Sequence, residues 1–177
     1  MVVVPFGPLT CVTKVTARRR SSASYSTTIR PYIQKYWDRV AEPTANGTAN
    51  DFPVIRYADV LLIYAEANNE LGNAGIAHQY INLVRKRARF NGTAYTNAVT
   101  DYAGLSKEQL REAIIKERKL EFVAEGQRWF DLARTGTLEA KVPQAKPGVT
   151  PAAKHYLFPI PQREIDLNPN LVQNTGY

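Results

Sequence analysis

The first strong pattern of hydrophobic and polar positions runs from residue 51 to residue 71 and predicts a helix. Its apolar residues form two stripes at helical spacing, and charged residues occupy only a narrow strip. The stripes consist of Ile55, Ala58, Leu62 and Ala65, and of Val60, Tyr64, Ala67 and Leu71. Asp51 suits the N-cap, Pro53 the first turn, and Gly72 the left-handed position after the last turn. Because so much of its surface is apolar, we expect this helix to be covered on more than one side.

A second helix is predicted between residues 73 and 89, with a single apolar face. Asn73 is placed to cap it, and apolar side chains recur at helical spacing along one side. These side chains are Ala77, Tyr80, Ile81, Val84 and Ala88. The turn of one or two residues between the two helices predicts an antiparallel hairpin, close in length to a tetratricopeptide repeat. Such a hairpin buries its faces only against stacked neighbours, so further helices are expected beside it.

The third predicted helix begins after Ser106 and extends to about residue 134. Ser106 and Gln109 have the spacing of a capping box. Two apolar stripes follow the helix, and Trp129 on the second of them is assigned to the core. Gly126, in the middle of this pattern, predicts either a kink or the close approach of a neighbouring backbone.

The remaining segments lack a helical period and are interpreted as loops and extended chain. Residues 1–24 form an irregular leader, with one short strand predicted at 12–17. Loops are predicted at 25–50, 91–104 and 135–154, and a short extended segment at 156–161. The fold class is therefore mainly α, with a tetratricopeptide-like helical hairpin, a long third helix and loop-rich extended segments. Residues 25–177 make one domain after the leader, as expected of a chain of 177 residues.

Composition and charge narrow the classes of function. The chain has one cysteine, Cys11, and two histidines, which argues against a disulfide and a metal site, and no cofactor is expected. The net charge is +7, and most of the excess lies in residues 1–50, where seven lysines and arginines face two acidic residues. Such a basic arm could touch nucleic acid, but no interleaved aromatic residues or reading helix accompany it. A solvated leader is the favoured interpretation, and no nucleic acid is expected as a partner.

Glutamates and arginines crowd the third helix and raise the question of catalysis. Glu117 and Glu121 lie four residues apart, which allows a carboxylate pair for glycoside hydrolysis to be considered. The same helix alternates Glu and Arg at three- and four-residue spacing, which predicts a ladder of ion pairs instead. Glu117 also falls within the apolar stripe, so it is expected to be partly buried and paired. The sequence therefore predicts no catalytic residue and a protein that is not an enzyme.

Aromatic residues in loops are the candidate ligand contacts. The chain has ten tyrosines, six phenylalanines and two tryptophans. Flat rings with polar tips suit sugars, because the C–H groups of a pyranose stack on the ring while its hydroxyls find polar partners. Binding residues tend to lie on loops, which selects Trp37, Tyr95 and Tyr102. For Trp37, partial burial at a domain boundary is the alternative interpretation.

Four blocks of this sequence resemble the SusD/RagB family of outer-membrane lipoproteins from Bacteroidetes. Residues 51–67 read DFPVIRYADVLLIYAEA, and residues 81–88 read INLVRKRA. Residues 117–132 read ERKLEFVAEGQRWFDL, and residues 158–177 read FPIPQREIDLNPNLVQNTGY. The blocks occur in the order found in the family and are similar to the C-terminal portion of its members, so residues 25–177 are identified as a SusD/RagB-like C-terminal domain.

The resemblance implies a helical fold and a binding function without catalysis. It implies a protein on the outer surface of the outer membrane, although no export signal can be read at the start of this chain. The implied partners are an oligosaccharide or other nutrient and a SusC-like TonB-dependent transporter. No binding residue is carried over from the family, because the matched blocks are scaffold residues. A helical protein–protein interaction scaffold, suggested by the hairpin alone, stays open as the alternative function.

Overall fold

A computed structural model of the chain describes residues 35–36, 51–97 and 99–177. In these ranges the regular elements are helical, as the sequence predicts, apart from one isolated antiparallel bridge. The helices are α1 (Tyr57–Glu70), α2 (Ala74–Ala88), α3 (Lys107–Glu121), α4 (Gln127–Arg134), α5 (Leu138–Ala145) and α6 (Gln162–Leu167), with a 3₁₀ turn at Ala153–Tyr156. The predicted leader 1–24, the strand at 12–17 and Trp37 lie outside the described residues. The chain forms two compact units, one ending at Glu125 and the other spanning Gly126–Tyr177.

The core of the first unit is built by α1, α2 and α3. The predicted hairpin is present, because α1 packs along α2, and α3 contacts both. Fully buried side chains from all three helices meet there: Leu62, Ala65, Ala77, Ile81, Leu110 and Ile114. The capping box at the start of α3 is confirmed, since Gln109 N donates to Ser106 Oγ at 3.3 Å and Ser106 N donates to Gln109 Oε1 at 2.9 Å.

The first helix begins later than predicted. Its N-cap is Arg56 rather than Asp51, and residues 51–56 are not helical. Pro53 explains part of the difference, because a proline disfavours the helical conformation of the residue before it. Ile55, assigned to a buried stripe, therefore lies outside the helix and is exposed.

One side of the hairpin is apolar and is left exposed by the described residues. The predicted second stripe of α1 is exposed among the described residues, which agrees with the expectation that the hairpin needs stacked neighbours to cover its faces. We call this surface the outer face; it comprises Val60, Ile63, Tyr64 and Ala67 of α1, Leu71 directly after α1, and Ile76, Tyr80 and Leu83 of α2. Tyr64 and Tyr80 link the two helices across it, with ring centroids 4.5 Å apart. A groove of about 260 Å³ lies between the same helices, lined by Tyr57, Ala58, Leu61, Leu83, Val84 and Arg87.

The long third helix is wrong as predicted, because the segment contains two helices. The α3 helix ends at Glu121, and α4 starts at Gln127 after a break. In the break Ala124 has φ 66° and Gly126 has φ 77°, both in the left-handed region that a right-handed helix cannot contain. The predicted kink at Gly126 is thus in the right place, but the structure has a complete break between two helices instead of a bend within one.

Two glycine substitutions are expected to change the free energy of unfolding in opposite directions, because Gly126 has a positive φ and Gly75 does not. Gly126→Ala is expected to lower the free energy of unfolding by about 1 kcal/mol, because alanine is strained at positive φ. Gly75→Ala, in the first turn of α2, is expected to raise it by roughly 0.5 kcal/mol. An added Cβ meets no atom within 4 Å at either site, so crowding does not confound the comparison. Denaturant unfolding followed by circular dichroism measures both changes; equal signs would contradict the left-handed break.

Acidic residues near the break form ion pairs between segments, whereas Asp131 and Arg134 of α4 form a pair along one helix, as the predicted ladder expects. Arg56 Nη2 lies 2.8 Å from Glu121 Oε1 and 2.7 Å from Glu125 Oε1, and Lys35 Nζ also bonds Glu125. Burial raises the pKa of Glu125, but the hydrogen bonds from Arg56 and Lys35 outweigh it, so the net shift is downward. The cluster therefore stabilises the fold above the ordinary carboxyl pKa and loses this contribution as pH falls through the lowered value.

The second unit contains two helices that the sequence did not predict. The loop assigned to 135–154 includes α5, which Leu138 anchors by complete burial. The nearby glycines and Pro143 hid this helix, although Pro143 lies inside it. The chain end forms α6 in addition to turns. Trp129, assigned to the core, is only half-buried.

Candidate functional site

The structure holds Tyr95 in a short, ordered turn directly after α2. Phe90 and Tyr95 form an antiparallel bridge, and Thr96 N donates to Arg89 O at 2.9 Å. Asn91 closes the turn, because its Oδ1 accepts hydrogen bonds from Thr93 N at 3.0 Å and Ala94 N at 2.9 Å. The local sequence explains this geometry, since an Asn-Gly pair favours a tight turn.

The turn presents an aromatic pair to solvent. The ring centroids of Phe90 and Tyr95 lie 5.3 Å apart at an interplanar angle of 54°. The exposed fraction is 37% for Phe90 and 60% for Tyr95. Packing against Phe90 limits the freedom of the Tyr95 ring, so less side-chain entropy remains to be lost when a ligand binds.

A cationic side chain, that of Lys86, contacts this pair. Lys86 Nζ lies 5.6 Å from the centroid of the Tyr95 ring, within the range of a cation–π contact. Arg89 follows on the same helix end and forms a 2.7 Å ion pair with Asp101. We call Lys86, Phe90 and Tyr95, with the turn that connects them, the Tyr95 platform.

Tyr102, the second predicted site residue, has a different environment. Its ring packs against the core of the first unit, and the Arg85 guanidinium lies 3.9 Å from the ring centroid. Asn82 holds its backbone on both sides, since Tyr102 N donates to Asn82 Oδ1 and Asn82 Nδ2 donates to Tyr102 O, each at 2.9 Å. Tyr95 and Tyr102 thus contact different residues of α2. A ligand role for Tyr102 stays a prediction, as it does for Trp37, which lies outside the described residues.

A second exposed aromatic group lies within the Gly126–Tyr177 unit. The rings of Trp129 and Phe158 have centroids 5.7 Å apart, and Phe130 and Phe158 are largely exposed. The sequence analysis missed this group because Trp129 falls on an apolar helical stripe. The signal that could have indicated it is Phe158, an aromatic residue in the short extended segment 156–161, directly before Pro159.

The described part of the chain offers no cluster of three or more His, Cys, Asp or Glu side chains suited to a metal ion. Glu117, considered for catalysis, is buried and bonded to Arg85 at 2.6 Å, as its position in the apolar stripe predicted. Among the helices described, none combines the length and hydrophobicity needed to span a membrane. The exposed ring of Tyr95 suits the platform to contact with a flat, partly apolar ligand.

Comparison with known proteins defines the class of this helical protein. A model of the SusD family matches residues 11–177, and the chain therefore belongs to the SusD family. This confirms the resemblance found in the four sequence blocks, whereas the tetratricopeptide-like detail of the hairpin stays a prediction.

The similar proteins come from Bacteroidetes and are much longer than this chain. SusD-like protein P2 of Formosa agariphila is 37% identical over 158 residues, which cover 84% of this chain and 30% of that protein. Starch-binding protein SusD of Bacteroides thetaiotaomicron is 34% identical over 133 residues, or 72% of this chain and 22% of that protein. The solved structure of surface glycan-binding protein A from B. thetaiotaomicron has a TM-score of 0.56 and 37% identity, covering 71% of this chain and 25% of that one.

Proposed function

We propose that the chain belongs to a non-catalytic protein that captures an oligosaccharide or another nutrient at the cell surface. It would pass this ligand to a SusC-like TonB-dependent transporter in the outer membrane. Membership of the SusD family supports the proposal, and two similar proteins are named for binding starch and surface glycans. The observation that carries it is the Tyr95 platform, an exposed ring held in place by Phe90 and an ordered turn.

The platform can hold a sugar by two kinds of contact. The open face of Tyr95 can take the C–H face of a pyranose, which removes apolar surface of both partners from water. The ammonium of Lys86, 5.6 Å from the ring centroid, can then bond a hydroxyl of the sugar. Neither contact needs a nucleophile or a general acid, so the geometry supports capture and release of an unchanged ligand.

Substitution of Tyr95 tests this function on the complete 177-residue chain. Affinity gel electrophoresis against a panel of polysaccharides is expected to retard the parent protein. Tyr95→Ala should weaken that retardation by roughly tenfold or more, because the stacked apolar area is lost. Tyr95→Phe keeps the ring and should retain most of the affinity.

A matched control is available in the second unit. Phe158 is exposed to a similar degree as Tyr95, at 68% against 60%, so Phe158→Ala removes a comparable ring elsewhere. Retained binding in Phe158→Ala with loss in Tyr95→Ala supports the proposal. The reverse result would move the binding surface to Trp129 and Phe158, and no retardation by any polysaccharide would rule out glycan capture.

A further inference from the structure

We propose that the ligand of the Tyr95 platform is an acidic oligosaccharide, whose carboxylate or sulfate group pairs with Lys86. This inference rests on the proposed function and specifies its ligand class. It starts from the position of the Lys86 ammonium, 5.6 Å from the centroid of the exposed Tyr95 ring. A pyranose stacked on that ring carries its ring substituents at about this distance from the centroid, which is the range in which Lys86 can reach a charged group.

The charges beside the platform are balanced except at Lys86. Arg87 pairs with Glu121, and Arg89 pairs with Asp101. Asp101 is the acidic group nearest along the chain that could repel an anion, and Arg89 neutralises it at 2.7 Å. Within the described ranges, no carboxylate lies within ion-pair distance of the Lys86 ammonium. A bound anion would therefore meet one uncompensated positive charge beside the ring.

A neutral sugar would use only part of this arrangement. It would stack on Tyr95 and accept a hydrogen bond from Lys86, whereas a carboxylate or sulfate would make a charge-assisted bond, which is the stronger kind. The solvent-exposed position of Lys86 keeps the gain moderate and makes it sensitive to salt. The structure thus predicts a preference for acidic sugars and not an absolute requirement.

Matched pairs of polymers test this inference. Polygalacturonate and its methyl ester share one backbone and differ in carboxylate charge, and dextran sulfate and dextran differ in sulfate charge. The parent protein should bind the acidic member of at least one pair more tightly, and which pair it is tells carboxylate from sulfate. Lys86→Gln should reduce that preference about two- to fivefold, because the acidic member loses a charge-assisted bond and the neutral member only an ordinary hydrogen bond. Salt raised from about 50 mM to about 500 mM should reduce the preference in the same way.

Control variants separate a specific charge from general positive charge and from a structural role. Lys116 is an exposed lysine on α3, so Lys116→Gln removes the same charge away from the platform and should leave the preference intact. Equal binding of acidic and neutral members overturns the inference while leaving the proposed function in place. Equal weakening of both members by Lys86→Gln also overturns it, because Lys86 would then only position the ring. Binding to none of the four polymers overturns the inference, whereas the proposed function is overturned only if the wider polysaccharide panel also fails to retard the protein.

Discussion

Replacement of Glu117 by leucine is expected to lower the free energy of unfolding by about 3 kcal/mol, because it leaves the buried Arg85 charge without its carboxylate partner. Arg85 Nη1 lies 2.6 Å from Glu117 Oε2, and both side chains are almost fully buried. Breaking such a pair from one side is costly, since the remaining charge has lost its water shell and no longer has an opposite charge to compensate for it. Leucine has nearly the volume of glutamate and the same preference for helix, so packing and propensity change little.

Two further variants show whether this loss comes from the unpaired charge. Glu112 is exposed on the same helix, and Glu112→Leu should change the unfolding free energy by less than about 0.5 kcal/mol. Arg85→Met added to Glu117→Leu should recover most of the lost stability, because neither charge then remains buried. Recovery will be incomplete, since Arg85 also donates to Thr100 O through Nε at 2.8 Å and Nη2 at 2.6 Å. Denaturant unfolding measures all three; a double variant less stable than Glu117→Leu would contradict this account.

Local signals predicted most of the first unit. Ser106 and Gln109 marked the start of α3 because a capping box depends only on residues three apart. The stripes of α2 and α3 predicted most of the buried side chains, since helical spacing fixes which residues share a face, although Ala88 and Leu120 at the ends of the stripes are exposed. The start of α1 failed for a similar local reason, because an acidic residue before a proline imitates a cap even when the chain ahead is not yet helical.

Long-range contacts explain what the sequence could not predict. The Glu and Arg residues of α3 have the spacing of a ladder, but Glu117 pairs with Arg85 of α2 and Arg118 pairs with Asp59 of α1. Nothing in a local pattern reveals that helices so distant along the chain will lie side by side. The end of α3 could not be predicted locally either. Alanine favours helix, yet Ala124 adopts a positive φ in the folded chain.

The candidate site was predicted in part. Loop position and aromatic character selected Tyr95, and the structure places it on an ordered turn with its ring exposed. The same rule selected Tyr102, whose ring packs beneath Arg85 in a way that loop position cannot reveal. The sequence analysis did not select Lys86, which contacts the Tyr95 ring. Lysines and arginines near a helix C-terminus are favourable in any helix, so their presence there did not indicate a site.

Self-association through the outer face is the second large effect expected of this chain. Ile63 is 54% exposed and Leu71 is 76% exposed, and they flank other apolar side chains across two helices. A continuous apolar surface of this width is uncommon on a monomer, because burying it against another surface releases a large free energy. The mean molar mass from light scattering should therefore rise above 19.9 kDa as the protein is concentrated from about 1 to about 100 µM.

A charged variant and a matched control test which surface is responsible. Ile63→Lys with Leu71→Lys places two charges on the outer face and should return the protein to 19.9 kDa over the same range. Leu120→Lys with Leu167→Lys adds the same charge at residues of similar exposure, 54% and 70%, that are not among those of the outer face, and should leave association unchanged. Both pairs lie outside the buried core, so the fold should persist in each, as circular dichroism can verify. A monomeric parent protein, or equal dissociation by both variants, would show that the outer face does not drive association.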